Sequence, residues 1–194
     1  MAIVSTPSES IEDFQPWSID RKHSYVGFEV KHMGFMTIRG VFHDYEATIL
    51  LNERDLARSR FTGTLFVASV DTRVPLRDED LRSANFFDAE RFAEIRYRSS
   101  RIETSGGNQF RVFGDLTIRE VTHEIVLEGS YAGPPRRDPW GTLRTGFAAR
   151  GAFDRKDFGM TWDVELPGGG SLVGATVTVH LDIELIPAQQ DARE

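Results

Sequence analysis

No cysteine occurs anywhere in the 194-residue chain. That absence excludes disulfides, thiolate metal sites, cysteine-ligated iron–sulfur clusters and cysteine nucleophiles. It leaves the redox compartment open, since a chain without thiols suits either environment. Long apolar runs are missing too, and no stretch approaches the ~18 residues of a membrane-spanning helix. The opening MAIVSTPSESIEDF has neither the basic flank nor the apolar run of a signal peptide, so the expected location is the cytoplasm. Concentrated positive charge is also lacking. Lys and Arg number 23 against 30 Asp and Glu, for a net charge of −7. A nucleic-acid partner, which needs a basic face, is therefore not expected. The single basic cluster, Arg136 and Arg137 with Arg144 nearby, sits in GPPRRDPWGT and reads as a solvated loop. No GxSxG, HExxH, Walker loop or dinucleotide fingerprint is present.

What the chain does have is apolar residues at period two. Hydrophobic residues make up 40% of it, enough for a core, and 14 Phe outnumber 3 Trp and 4 Tyr. Phenylalanine brings apolar surface with no polar tip to satisfy, which suits a dense core or a lipid-lined cavity. In SYVGFEVKH, Val26, Phe28, Val30 and His32 share one face while Tyr25, Gly27, Glu29 and Lys31 share the other. An extended run over 38–51 has mixed phase, predicting a bulge near Gly40 or Asp44. Further strands are predicted over 60–70, 94–103, 109–118, 122–131, 143–153 and 172–186. In the last of these, Val173, Ala175, Val177, Val179, Leu181, Ile183 and Leu185 alternate with polar residues. Residues 1–15 read as a flexible tail, 16–187 as one domain and 188–194 as a C-terminal tail.

One segment resists a strand reading. Residues 75–86 open with Pro75 and carry acids early, as a short helix does, and lead into Phe86 and Phe87. About eight strands and one short helix, with no long linker, leave a sandwich or a closed antiparallel barrel, and at this strand number a barrel interior holds one small ligand. Composition and period alone do not choose between the two.

Candidate chemistry is sparse. His23 and His32 are nine residues apart, so on one unbroken strand they face opposite ways and make a poor metal pair. His180 falls on the polar face of the last strand and reads as a solvated surface residue. His32 continues an apolar face, where it is either a buried histidine bonded to backbone or a ligand contact. Asp78, Asp80 and Asp88 could pair as acid and base, but near a helix start acids ordinarily complement its dipole. No catalytic residue, metal or cofactor is assigned. In RKDFGMTW, period two places Phe158, Met160 and Trp162 together, as core packing at a corner or as cavity lining.

Taken in order, the strings are similar to the YceI-like family, also described as polyisoprenoid-binding and lipocalin-like. WSIDRKHSYVGFEVKHMGFMTIRGVFHDYEATI has the family's opening, with Trp17, Asp20, His23 and Ser24, followed by His32, Gly40 and Phe42. SVDT (69–72), DEDLRSANFFD (78–88), GDLTIREVTHEIVL (114–127), RKDFGMTW (155–162) and LVGATVTVHLDIEL (172–185) continue it. The resemblance implies an all-β, closed antiparallel lipocalin-like barrel with a helix at its side or mouth. Its interior would hold a long-chain polyisoprenoid or fatty amphiphile, without catalysis, and members often pair as homodimers. The candidate lining is Phe28, Val30, Phe42, Phe86, Phe87, Phe158, Met160 and Trp162, with His32 beside it. A pyrophosphate head would be sought by Arg39 and Arg82. Two departures stand out: Glu120 occupies a position usually held by glycine, and the signal of the many exported members is not seen. The alternatives are an enzyme acting on a small hydrophobic substrate through His32 or His23, or a solid barrel serving as an interaction or stress-response protein.

Overall fold

The computed structural model describes residues 14–188, so of the expected tails, 1–15 and 188–194, all but Phe14, Gln15 and Ala188 lie outside the described residues, and Gln15 already belongs to the first strand. Twelve strand segments join in one sheet that closes on itself. The last strand, β12 (Val173–Pro187), organises the closure. Along one edge it pairs first with β1 (Gln15–Ile19), Trp17 opposite Pro187, then with β2 (Tyr25–His32), Phe28 opposite Val179. These two segments are thus one stave broken at Asp20–Ser24. In the same way β3 (Met36–Phe42) continues into β4 (Tyr45–Leu51), and β5 (Arg60–Phe66) into β6 (Val70–Asp71). Four unbroken staves follow: β7 (Glu94–Thr104), β8 (Gln109–Ile118), β9 (Val121–Tyr131) and, after the two-residue β10 (Arg136–Arg137), β11 (Leu143–Asp154). Strand β11 pairs with β12 from Thr145–Leu185 to Asp154–Thr176 and closes an antiparallel barrel of eight staves.

The breaks are aligned and mutually bonded. The Asp44 amide donates to Ser69 Oγ at 3.0 Å, and the Phe66 amide to the Asp44 carbonyl at 3.0 Å. The disturbance expected near Gly40 or Asp44 is therefore at His43–Asp44, while Gly40 stays in β3, where the Phe28 ring covers the space a side chain would need.

The helix, α1 (Pro75–Arg82), follows β6 and has Pro75 in its first turn. It ends at Arg82, earlier than the predicted 86. The Ser83 amide turns back to the Glu79 and Asp80 carbonyls, and Asn85 Nδ2 donates to the Asp80 carboxylate at 2.7 Å. This tight exit drives Phe86 and Phe87 into the core, where both are buried. Asp78 does more than complement the helix dipole: it accepts from the Thr72 amide at 2.8 Å and hydroxyl at 2.6 Å, pinning the helix to β6. Asp80 is likewise engaged with Asn85, and Asp88 lies 3.4 Å from Arg91, so neither forms an acid–base pair with Asp78.

At the two-residue turn between β8 and β9, Arg119 and Glu120 both take left-handed φ, 52° and 64°. That is the turn a twisted hairpin prefers, and it normally calls on glycine. Here a glutamate bears the strain, a cost of about 1 kcal/mol. The Arg119 guanidinium donates to the carbonyls of Phe86 (3.1 Å) and Gly159 (2.8 Å), so the turn clasps both loops at the helix end of the barrel.

Candidate functional site: an apolar cavity inside the barrel

Inward residues from every stave leave a cavity of about 450 Å³. From β2 come Val26, Phe28, Val30 and His32, the face expected from period two; from β12 come Val173, Val177, Val179, Leu181 and Ile183. Strands β7 to β9 add Ile95, Ile102, Val112, Leu116, Ile125 and Leu127, and β11 adds Phe147 and Phe153. Two aromatic groups bound this space. At the end away from the helix, Phe147 packs on Phe61 (5.7 Å between centroids) and Phe110 (6.3 Å). At the helix end, Phe42 contacts Phe28 (5.8 Å) and Phe87 (6.0 Å), and Phe86 meets Trp162 (5.5 Å). Polar lining is sparse: Lys31, His32, Thr72, Arg77, Asp80 and Arg155 cluster at the helix end, and Glu46 and Thr62 belong to the wall. Tyr97 also lines the cavity, and burial pushes its phenol well above the ordinary value, so it stays neutral.

Of the residues singled out from sequence, Phe28, Val30, His32, Phe42, Phe86, Phe87, Met160 and Trp162 all border this space. His32 is half-buried rather than fully enclosed. Phe158 is fully buried but is not among the lining residues; it packs edge-on against His123 and Phe153, both at 5.1 Å. The period-two reading fails there because Arg155–Phe158 is a 3₁₀ turn ended by Gly159 at φ 77°, so successive side chains do not alternate. Arg39 and Arg82 are also elsewhere. Arg39 projects outward and sits 3.5 Å from Glu29, and Arg82 reaches toward the Val70 carbonyl. The cations bordering the cavity are Lys31, Arg77 and Arg155. His180, expected to be solvated, is only 19% exposed on the outer face and lies 3.5 Å from Glu29. The Tyr25 ring, lying over Gly27 opposite it, occupies that surface.

Arg155 is the least expected member of the site. It is 2% exposed, and among the described residues no carboxylate lies within ion-pair distance. Instead it donates to four carbonyls: Met160, Trp162 (2.8 Å), Val173 (3.0 Å) and Gly174 (2.9 Å). Burial pushes its pKa down, while Asp163 and Asp154 pull it back. The guanidinium thus ties the Met160–Trp162 loop to the start of β12, and lies 5.8 Å over the Phe86 ring.

The opening motif serves a different purpose outside the cavity. Asp20 and Glu184 both meet Arg144 Nη1, at 2.6 Å for Asp20, and His23 Nδ1 lies 2.8 Å from Asp20. Asp138 binds the same guanidinium at 2.7 Å. Asp20, His23 and Glu184 are close enough to share a metal ion, but the cation already among them is Arg144. Ser24 completes the pin by accepting from the Glu184 amide at 3.0 Å. The motif thereby fixes the first stave's break to β12 and to the loop before β11. Burial alone would raise the Asp20 pKa, but hydrogen bonds from His23 and Arg144 outweigh it and hold the carboxyl at about 2. A folded value below the unfolded one adds stability above about pH 4 that is lost as pH falls toward 2, here about 2 kcal/mol. Asp20→Asn is therefore expected to be less stable than wild type at neutral pH and to converge with it near pH 2. Unfolding free energies measured across that range check this, and parallel curves would exclude it.

The model of the YceI-like domain matches residues 17–185. The chain belongs to the YceI-like family. Among curated members, Protein YceI of Escherichia coli is 33% identical over 150 residues, covering 76% of this chain and 78% of that one. Among solved structures, Burkholderia cenocepacia BcnA superposes with a TM-score of 0.73 at 21% identity, over 86% of this chain and 98% of that one. A domain from Saccharophagus degradans described as polyisoprenoid binding, and implicated in plant cell wall breakdown, superposes with a TM-score of 0.59 at 13% identity, over 89% and 99% of the two chains. These structural likenesses place the fold, and the YceI-like barrel with one short helix is what the chain forms. Among the described residues no helix is long and apolar enough to cross a membrane.

Proposed function

We propose that this YceI-like barrel carries or stores a long-chain polyisoprenoid or similar amphiphile, without catalysing a reaction on it. The observation that carries the reading is a space of about 450 Å³ inside the barrel, walled almost wholly by aliphatic and aromatic side chains. An apolar cavity of about 150 Å³ takes up benzene, so a space three times larger suits on the order of 20 carbon atoms, about four isoprene units. At about 0.8 kcal/mol per buried methylene, such a chain gains on the order of 10 kcal/mol before ordering costs. Affinity then needs no polar contact, and the few polar groups serve to orient the head. A polyisoprenoid-binding domain with this fold in Saccharophagus degradans supports the ligand class. The enzymatic alternative through His32 or His23 has less to support it: His23 is bonded to Asp20 outside the cavity, and among the described residues His32, which borders it, has no side-chain hydrogen bond to a carboxylate or hydroxyl.

Native mass spectrometry of freshly purified protein, followed by organic extraction, tests the proposal and reads the oligomeric state, for which a homodimer is the family expectation. A stoichiometric prenyl or long-chain lipid is the expected result. Protein that comes without cargo and also ignores added prenyl alcohols would overturn it.

A further inference from the structure

The first break in the barrel leaves a gap in its wall. Pairing between β1 and β4 stops at Trp17 opposite Ile49, and β2 resumes pairing only with β3. Between them, Ile19–Ser24 and Asp44–Thr48 run side by side without ladder bonds. Beside this gap the inner face of β4 carries only Ala47, and its ladder partner on β5 is Gly63, so the wall has almost no side-chain bulk here. A Cβ built on Gly63 would meet only the Glu46 carbonyl, at 3.8 Å, so the space in front of it is open. Ala47 is exposed although it sits on the inward face of β4. Of all residues bordering the central cavity only Lys31, Glu46, Ala47 and Thr62 are exposed, and three of these four belong to this gap.

Outside the gap lies a polar groove of about 390 Å³ whose walls include Ser18, Thr48, Thr62, Thr64, Glu46 and Arg21. It shares Ile19, Tyr45, Ala47 and Gly63 with the central cavity. Arg21 spans the gap: Nη1 is 3.1 Å from the Asp44 carboxylate, Nη2 donates to the Tyr45 carbonyl, and the guanidinium lies 5.0 Å over the Tyr45 ring.

Resting on the carrier reading, we infer that this gap is a lateral portal, and that the outer groove seats a neutral, hydroxyl- or carbonyl-bearing head group while the chain enters between Ile19–Ser24 and Asp44–Thr48 and runs past Ala47 and Gly63 into the cavity. The chemistry favours a neutral head. Four hydroxyls can each donate and accept, Glu46 accepts and Arg21 donates, so both senses of hydrogen bond are on offer. A diphosphate would face the Glu46 carboxylate; Arg21, the cation among the groove's lining residues, is already engaged by Asp44 and Tyr45, and Arg96 and Arg98 stand on the neighbouring strand opposite Thr64 and Thr62. The Arg21 bridge is exposed and worth little energy, as suits a latch that must open.

The test titrates wild type, Gly63→Val and Ala47→Leu with a C20 prenyl alcohol, its diphosphate and a small apolar fluorescent naphthylamine. Valine at a strand position with free space in front of it leaves the barrel folded. Wild type should bind the alcohol more tightly than the diphosphate. Both variants should lose at least about tenfold in affinity for the alcohol, or 1.4 kcal/mol, and keep the naphthylamine. Arg21→Ala should speed both uptake and release of the alcohol. Variants that bind the alcohol as wild type does, at unchanged rates, would overturn the portal and leave the carrier reading standing. A tighter diphosphate would overturn the neutral head, and a wild type that takes up no prenyl chain would overturn both readings.

Discussion

Arg155→Met is expected to destabilise the barrel by on the order of 4 kcal/mol, although it replaces a buried charge by an apolar side chain of similar length. In many proteins that exchange is neutral, because the desolvation cost of the ion disappears with it. Here the guanidinium is the shared partner of four carbonyls from two segments, which the Asp163 carboxylate also joins through the Val173 amide at 3.1 Å. The Val173 carbonyl keeps the Ser171 hydroxyl as a donor, but removing the guanidinium takes away the side-chain donor of the Met160, Trp162 and Gly174 carbonyls, at about 1–3 kcal/mol for each left unpaired, and only part of this is recovered by relieving the ion's own burial. Lysine should fare almost as badly, since a single ammonium cannot present the planar fork that meets four oxygens at once. Urea unfolding reads the effect directly. With a slope of about 2 kcal/mol per molar, the midpoint should fall by about 2 M. A midpoint unchanged in both variants would mean that water satisfies those carbonyls.

The second large effect is on binding rather than folding. Phe86→Glu should reduce affinity for a C20 prenyl alcohol by at least about 100-fold while the barrel remains folded. The ring is 7% exposed and packs against Trp162 at the helix end of the cavity, so its loss removes apolar contact and places a charge where a chain must lie. Ordinarily a buried glutamate would also threaten the fold. The position of Arg155, 5.8 Å from the same ring, offers the introduced carboxylate a partner and limits that cost. Circular dichroism checks the fold and ligand titration checks the loss. Wild-type affinity in a folded variant would remove Phe86 from the ligand's path.

These two residues also mark how far the sequence could be read. Phe86 was legible as a cavity residue because two consecutive phenylalanines at the end of the one helix have to be covered, and the helix follows a strand at the barrel's rim. The face of β2 was legible for a simpler reason: alternation at period two puts Val26, Phe28, Val30 and His32 on one side whatever the rest of the chain does. The many lining residues of β7 to β9 carry the same alternation and were open to the same argument. Arg155 was not legible. Nothing local distinguishes an arginine that turns inward to four carbonyls from one that points to solvent. Phe158 was misplaced because alternation was extended into a 3₁₀ turn, where it does not hold. Arg39 and Arg82 were assigned to a head group by charge alone, and charge does not say which side of a wall a side chain leaves from.

The sequence by itself determined the strand character of nearly every stave, the position of the helix and, through its run of motifs, membership of the YceI-like family. Each of these depends on local pattern, which neighbours within a few residues suffice to express. The closure into a barrel rather than a sandwich, the alignment of three broken staves and the gap beside Ala47 and Gly63 were decided only in three dimensions. They depend on which strands pair and where pairing stops: β12 holds β1 and β2 end to end on one edge and β11 on the other. Register between residues far apart in the chain is set by the packing of the whole sheet, and it leaves the wall unpaired beside two small residues, Ala47 and Gly63, that are unremarkable in sequence.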